Sequence, residues 1–525
     1  MCGGLGGDDT PLRIGIDVGG TNTDSVLLDP SNRLLAQAKS PTTADVSTGI
    51  RTSLRELLAT ARIDPGRVRY CMLGTTHCIN ALLERKGLDR VAVVRIGAPA
   101  SKAIPPFADW PADLASAVRF RSFFVEGGNE FDGREMRRLA ERRLRTIASA
   151  IDGRVRSVAI TSIFSPVTPA QEIQASRVLQ GALRHRVSIS LSHEIATIGL
   201  LERENATILN AALQSVARRA VVAFRRATRQ LGLRSALYFG QNDGTLMDIE
   251  TALRQPILTV SSGPTNSIRG ASFLARVSDS IVVDVGGTST DIGVLKAGFP
   301  LESSRPAMVG GVRTNFRIPD ILDLALGGGS RVRPGRRLTV GPDSVGYRLT
   351  KEARAVGGPT LTATDIAVAL GRCRFGDPKN VRGLSPSMVA EADRVIHAMV
   401  EAGIDRVRTS AKPLPVILVG GGSILLRDRL KGVSQIVRPD HFDVANAIGV
   451  SIAEVGADVD TVLSYGDDSR SRALARACRG AVDRAVRAGA NRRRTRVANI
   501  EEIPLTYLPG NAVRVRVKAC GALAM

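Results

Sequence analysis

Two short strings in this chain combine residue types that can do chemistry, and they are nearly the same string. The first is Ile14-Gly15-Ile16-Asp17-Val18-Gly19-Gly20-Thr21-Asn22-Thr23-Asp24, and the second is Ile281-Val282-Val283-Asp284-Val285-Gly286-Gly287-Thr288-Ser289-Thr290-Asp291. In each, a β-branched run reaches an aspartate, a Gly-Gly turn follows, hydroxyl side chains come next and apolar residues return. Apolar run, tight turn, apolar run is the pattern of a β-hairpin. A glycine turn lets the backbone approach a ligand without Cβ interference and aims successive N–H groups at an anion, while the hydroxyls add donors. That suits a phosphate. The aspartate at the strand end can face the same turn and hold Mg2+, a hard cation that takes oxygen ligands and keeps several waters. Two such hairpins facing each other across a cleft would grip a polyphosphate from both sides.

Taken singly, a Gly-Gly-Thr string reads equally well as a plain turn. Duplication with the aspartate kept in place favours nucleotide binding. Neither copy is a Walker loop, because no Gly-Lys-Ser/Thr follows, and neither is a dinucleotide fingerprint, because a strand rather than a helix continues after the glycines.

The elements that must position these turns alternate along the chain. Residues 47–61 read as a helix, and residues 68–73 as a buried strand running into Gly74-Thr75-Thr76-His77 and a helix over 78–85. Hydroxyls and amide N–H groups at a helix N-terminus form an anion site, although a simple N-cap explains Thr75 or Thr76 locally as well. Strands at 91–94 and 157–164 flank a charged amphipathic helix at 134–150, so strands and helices alternate as in an α/β architecture. A 3.6-residue apolar rhythm predicts one long helix over 200–231, with a domain junction just before it. Residues 261–267 read as a loop leading into a helix. The run Val416-Ile417-Leu418-Val419 delivers its backbone into Gly420-Gly421-Gly422-Ser423, where a flat adenosine group could lie against glycines; that triplet and Gly327-Gly328-Gly329-Ser330 each read, in isolation, as close packing. Residues 469–496 are expected to form a basic helix, and 505–518 a half-buried hairpin.

Bulk composition narrows the function class. A chain of 525 residues that is 43% hydrophobic suggests about three domains, with aliphatic cores because aromatics make up only 4%. The formal charge of +22 is spread along the chain without aromatic interleaving, which describes an arginine-rich solvated surface rather than a nucleic-acid face. The six cysteines show no CxxC spacing, so reduced thiols are expected, and the five scattered histidines offer no zinc-site pattern. No apolar run reaches the roughly 18 residues of a membrane span, and the Gly-rich leader lacks a signal-peptide core. The expectation is a cytoplasmic protein without membrane or nucleic-acid partners.

These motifs, in order, resemble the ATP-binding A-type subunits of the hydantoinase/oxoprolinase family, within the actin, sugar-kinase and Hsp70 superfamily. The matching blocks are the two Asp-Gly-Gly strings, Gly74-Thr75-Thr76 with Asn80-Ala81-Leu82-Leu83-Glu84-Arg85, residues 162–169, Glu202-Arg203-Glu204-Asn205 to Asn210-Ala211, Ser262-Gly263-Pro264, residues 327–330, Pro359-Thr360-Leu361-Thr362 with Leu370-Gly371-Arg372, and Asp443-Val444-Ala445-Asn446-Ala447-Ile448-Gly449. The resemblance implies two ribonuclease-H-like, actin-like ATPase domains around an interdomain nucleotide cleft, with inserted and C-terminal subdomains. It divides the chain into a flexible leader (1–11), an N-terminal domain (12–195), an ATPase domain (196–465) and a C-terminal helix and hairpin extension (466–525). Asn22, where the family often carries an aromatic, and Leu73, in place of a frequent histidine, depart from the pattern.

The function implied is an ATP- and Mg2+-dependent opening of a cyclic amide, such as a hydantoin or a 5-oxoproline-like ring, through phosphorylation of the amide oxygen. Asp17 and Asp284 would face the metal. Gly19, Gly20, Thr21, Asn22, Thr23, Gly286, Gly287, Thr288, Ser289 and Thr290 would hold phosphates, and Gly420, Gly421, Gly422 and Ser423 would hold adenosine. Asp284 and Asp17, with Thr75, Thr76 and His77, are the catalytic candidates; His77 reads equally as an ordinary partly buried imidazole. No long second-subunit region is appended, so a separate B-type subunit is an expected partner, and a homo-oligomer stays open. The alternatives are a small-molecule kinase or ketone-carboxylase subunit using the same phosphoryl-transfer site, and a nucleotide-gated, partner-binding ATPase.

Overall fold

The computed structural model describes residues 11–19, 22–42, 46–196, 198–296, 298–303, 307–316, 318–465, 469–506, 508 and 510–524; the leader 1–10 and the turn residues Gly20 and Thr21 lie outside the described residues. Both duplicated strings form hairpins. Leu12–Val18 pairs antiparallel with Asn22–Leu28, setting Asp17 opposite Asp24, and Ser280–Val285 pairs antiparallel with Thr290–Lys296, setting Asp284 opposite Asp291. A parallel strand flanks the first strand of each hairpin. Val68–Thr75 brings Gly74 into register with Asp17, and Val416–Val419 brings Val419 into register with Asp284. The chain thus carries two α/β halves of one ribonuclease-H-like plan.

The first hairpin belongs to a nine-stranded sheet ordered Ala490–Pro504, Ala512–Leu523, Val455–Ser464, Leu246–Asp248, Ala236–Gly240, Val68–Thr75, Leu12–Val18, Asn22–Leu28 and Leu34–Pro41. The second lies in a six-stranded sheet ordered Phe299–Pro300, Thr290–Lys296, Ser280–Val285, Val416–Val419 and Ile436–Val437, with Ile321–Leu324 also paired to Thr290–Lys296. A four-stranded parallel sheet, Arg119–Glu126, Val91–Ala98, Ser157–Ser162 and Ser188–Leu191, forms a separate subdomain. Among the described residues, no helix is long and apolar enough to cross a membrane.

Two helices fill the space between the large sheets. Ala445–Ser451 packs on the first sheet through Ala447 and Ile448 against Val26, and Ser262–Ala275 packs on the second through Ile268 and Ala271 against Val282, Ile417 and Val419. They touch each other backbone to backbone. A side chain at Gly270 would lie 1.9 Å from the Ala445 carbonyl oxygen, one at Gly449 would lie 1.8 Å from that of Asn266, and one at Gly15 would lie 2.2 Å from that of Ala447. Outer helices close the remaining faces: Val46–Ala61 and Gln214–Gln230 on the first sheet, Ala363–Ala369 and Pro386–Val407 on the second.

Four local expectations change. The long helix is two, Leu200–Ala212 and Gln214–Gln230, because the buried side chain of Asn210 bonds Ser190 Oγ, the Arg254 carbonyl and the Ile257 N–H and anchors the first helix to its neighbours. The helix expected over 134–150 begins only at Glu141, since residues 135, 136 and 140 pair with the segment 126–129 instead. Residues 492–496 are strand, because the helix Arg470–Arg487 stops before Gly489 at φ 108° and the chain then pairs with Ala512–Leu523. Residues 262–267 are the opening turns of a helix rather than a loop, after Ser261 at φ 67°.

The helix crossing sets a contrast between two glycines. Gly449→Ala is expected to lower stability by about 3 kcal/mol, the upper end for overpacking. Gly480→Ala, whose side chain would meet Val459 at an ordinary 3.5 Å inside helix Arg470–Arg487, is expected to raise it by about 0.5–1 kcal/mol. Urea denaturation of both variants checks this; an undiminished Gly449→Ala protein would contradict the packing.

Candidate functional site

Asp17 and Asp284, 267 residues apart in sequence, end their strands in one buried region. Asn446, at the start of helix Ala445–Ser451, donates to Asp17 Oδ2 at 3.3 Å and also acts on Asp284. Burial raises the Asp17 carboxyl to about 7, assisted by the negative charges of Asp24 and Asp284 and opposed by Asn446 and Lys39. Asp24 is raised to about 6, again by burial first, against the pull of Lys39. Asp284 is raised by burial, offset by the Ser267 hydroxyl, Lys39 and Asn446. Asp291 is pushed well above its ordinary range by burial, Asp284 and Asp323. Asp17, Asp24 and Asp284 share the pull of one ammonium, Lys39 Nζ, which does not reach Asp291; it lies 3.2 Å from Asp24 Oδ1 and donates to the Asp443 carbonyl at 2.9 Å. Such crowding out of water favours protonation or a bound cation.

The residues fit a hard cation carried by a polyphosphate. Asp17 Oδ1 and both amide atoms of Asn266 are buried without a hydrogen-bond partner, which is costly unless a ligand or water supplies one. A glycine clears space for each aspartate. A side chain at Gly74 would lie 2.7 Å from Asp17 Oδ1 and 2.8 Å from Asn266 Nδ2, and one at Gly420 would lie 2.2 Å from Asp284 Oδ1. Among the described residues, no group of three or more His, Cys, Asp or Glu side chains forms a metal cage. One or two carboxylates plus waters and phosphate oxygens is the usual Mg2+ environment.

The two turns share their internal wiring. Gly19 N–H donates to the Asn22 carbonyl at 3.0 Å and Gly286 N–H to that of Ser289 at 2.9 Å, so these amides close their own turns. In the second turn, the N–H groups of Gly287, Thr288 and Ser289 meet no backbone acceptor among the described residues. Thr288 is exposed and Ser289 half-buried, whereas Thr23 and Thr290 are buried braces. Thr23 Oγ1 bonds Thr42 Oγ1 at 3.3 Å, and Thr290 Oγ1 donates to the Leu326 carbonyl at 2.6 Å. Asn22 is half-buried at the start of its strand. The loop 327–330 seats behind the second turn: Gly328 N–H donates to the Gly286 carbonyl at 3.0 Å and Gly329 N–H to that of Gly287 at 2.8 Å. Tying the carbonyls back fixes the peptide planes, with free N–H groups turned the other way.

Gly420 to Ser423 touch the same turn. A side chain at Gly422 would lie 2.6 Å from the Gly286 carbonyl oxygen, while one at Gly421 would meet nothing within 4 Å; Ser423 Oγ is buried without a partner. Thr75 pairs in register with Val18. Its hydroxyl accepts from the His77 N–H at 3.2 Å and also bonds the His77 ring at Nδ1, and burial depresses the proton affinity of that ring. Thr76 Oγ1 donates to the Val18 carbonyl at 3.3 Å and accepts from Asn80 Nδ2 at 3.2 Å. These three residues flank the first turn. Sequence reasoning missed Lys39, Asn266, Ser267 and Asn446 as site residues. For Asp24 and Asp291 the signal was present, since the duplication itself repeats them.

Two family profiles match the chain: the hydantoinase/oxoprolinase N-terminal region over residues 13–183, and hydantoinase/oxoprolinase over residues 203–401. The chain is 27% identical over 382 residues to the caprolactamase alpha subunit of Pseudomonas jessenii, covering 68% of this chain and 54% of that protein. It is 28% identical over 461 residues to the acetophenone carboxylase gamma subunit of Aromatoleum aromaticum, covering 78% of this chain and 59% of the other. It therefore spans less than two thirds of either relative. The solved structure of the ATP-dependent caprolactamase of Pseudomonas jessenii superposes with a TM-score of 0.76 at 20% identity, over 98% of this chain and 88% of that one.

The raised carboxyls give a signed pH dependence. Because the folded value of Asp17, about 7, lies above its ordinary value of 3.8, its stabilising contribution is whole below about pH 4 and is lost as pH rises through 7. Asp17→Asn is expected to stabilise the ligand-free protein at pH 8 by about 1–4 kcal/mol and to change it little at pH 4. Urea denaturation at both values checks this; equal stability of the two proteins at pH 8 would refute the charge crowding.

Proposed function

The chain belongs to the hydantoinase/oxoprolinase family, and on that premise we propose that it binds Mg·ATP between the two hairpins and transfers the γ-phosphoryl group to the carbonyl oxygen of a cyclic amide. The observation that carries this reading is the convergence of two Asp-Gly-Gly turns on buried, unpartnered oxygens. In the proposed reaction the amide oxygen attacks the γ-phosphorus and ADP leaves. Water then adds at the activated carbon, the ring C–N bond breaks with the nitrogen leaving as the protonated amine, and a second water cleaves the resulting acyl phosphate to carboxylate and inorganic phosphate. Phosphorylation is needed because an amide carbonyl is a poor electrophile, and phosphoryl transfer needs chiefly positioning and charge neutralisation.

Asp17 and Asp284 would hold Mg2+, which when bound neutralises phosphate charge. Thr288 and Ser289, with the free N–H groups of their turn, would hold phosphate oxygens, and the open face of Gly421 would lie against adenosine. Asp284 would orient or deprotonate the nucleophile, with Thr75, Thr76 and His77 at the border with the first turn. Lys39 would restrain the carboxylates before the nucleotide arrives. Because the relatives are named as subunits, a separate B-type subunit is proposed to complete ring opening. The likeness to an acetophenone carboxylase subunit supports a second reading, in which the same transfer activates a ketone for carboxylation.

An ATPase screen over hydantoins, lactams and ketones, with and without neighbouring-gene products, separates the readings by the product formed. Asp284→Asn is expected to lower substrate-stimulated phosphate release by about 100-fold or more. Unchanged release would remove Asp284 from the site, and stimulation by a ketone with no cyclic amide active would replace the first reading with the second.

A further inference from the structure

A polar cavity of about 580 Å³ lies between the turn Gln241–Asp243, the start of strand Val455–Ser464 and the end of helix Arg470–Arg487. Its volume falls in the range of small-molecule sites. His193 lines it. The ring Nδ1 lies 2.6 Å from Oε2 of Glu172, a fully buried carboxylate that also accepts from the N–H groups of Ser162 and His193 at 2.8 and 3.1 Å. Burial tends to raise Glu172, yet its hydrogen bonds from His193 and Ser192 and the nearby Arg203 guanidinium hold it below the usual carboxylate range. A carboxylate can only accept, so Nδ1 carries a proton, and in the uncharged tautomer that this contact selects Nε2 would be an acceptor turned away from Glu172. Nε2 meets no protein partner among the described residues.

The charges around this imidazole are sorted. Asp243 pairs with Lys518, Asp458 with Arg516 and Asp460 with Arg514, each at 2.8 Å. Asp248 caps a helix by accepting from the Thr251 N–H at 2.6 Å, which leaves the exposed Glu194 as the one unpaired acid of the lining among the described residues. Arg254, Arg484 and Arg487 also line the cavity and have no carboxylate partner among the described residues; they bond Thr251 Oγ1 and the carbonyls of Asp458 and Asp483. An oriented acceptor inside and three available guanidinium groups at the rim are complementary to one kind of molecule.

We propose that this cavity binds a small anion that carries its own N–H or O–H donor, the donor meeting His193 Nε2 and the anionic group meeting the arginines. The site does not depend on the nucleotide reading. Thr265 Oγ1, on the helix that bears Asn266 and Ser267, donates to the Asn242 carbonyl at 2.9 Å, so the cavity wall and the candidate nucleotide site share one helix.

Titration calorimetry of the full chain with L-glutamate, glutarate, inorganic phosphate and uncharged 2-pyrrolidinone tests the proposal. Glutamate or phosphate is expected to bind more tightly than glutarate, which lacks a donor at pH 8, and 2-pyrrolidinone least. His193→Leu is expected to remove a donor preference of about 5-fold, and the Arg484→Gln, Arg487→Gln double variant to weaken every anion. Binding of an ATP analogue, measured in the same variants, should be unchanged, which shows that they fold and keeps this test separate from the nucleotide reading. No binding by glutamate or phosphate at millimolar concentrations, or equal binding in wild type and both variants, would overturn the proposal.

Discussion

The contact between Gly270 and Gly449 governs how far apart the two halves of this protein sit. At each crossing point a single methyl group would fall within 2 Å of a carbonyl oxygen on the facing helix, so the helices are held by backbone and not by an adjustable layer of side chains. Helix Ala445–Ser451 is fixed to the first sheet by Gly15 against Ala447, and helix Ser262–Ala275 to the second by Gly293, where a side chain would meet Ile268 at 2.4 Å. Sheet, helix, helix and sheet thus form a stack with little slack. The aspartates at the ends of Leu12–Val18 and Ser280–Val285 inherit their separation from that stack.

Close approach creates an electrostatic problem that a ligand can solve. Asp17, Asp24, Asp284 and Asp291 all have raised proton affinities, with burial as the first cause in each. Asn446 and Lys39 offset Asp17 and Asp284 only in part, Lys39 alone offsets Asp24, and neither acts on Asp291. Ordinary folding selection would replace such a cluster by neutral side chains, because uncompensated buried charge is destabilising. A protein that received a cation and a triphosphate there would have a reason to keep it, and the unpartnered amide of Asn266 belongs to the same logic.

How much of this was legible in the sequence depended on distance along the chain. Both hairpins and their aspartates were readable because their pattern is local and occurs twice. The strand running into Gly74 and the helix from His77 were readable for the same reason. Lys39 was not, since nothing near residue 39 reveals that the strand Leu34–Pro41 will carry its ammonium beside Asp24. Asn446 stood inside a matched block, but its contact with Asp17 spans 429 residues. The helix boundaries went wrong where tertiary bonds outweighed periodicity, as at Asn210. The break before residue 490 had a visible signal in Gly489, which a continuous basic face concealed. The role of Gly327 and Gly329 could not be read locally: both pack against the backbone of another turn, at Gly287.

A crystal structure with Mg2+ and a non-hydrolysable ATP analogue tests most directly whether the two turns act on one nucleotide. The expected result is a single bound molecule whose phosphates are contacted by backbone from both hairpins, with the cation on the oxygens of Asp17 or Asp284 and adenosine against Gly421. A nucleotide held by one hairpin alone, or bound away from both aspartates, would contradict the account.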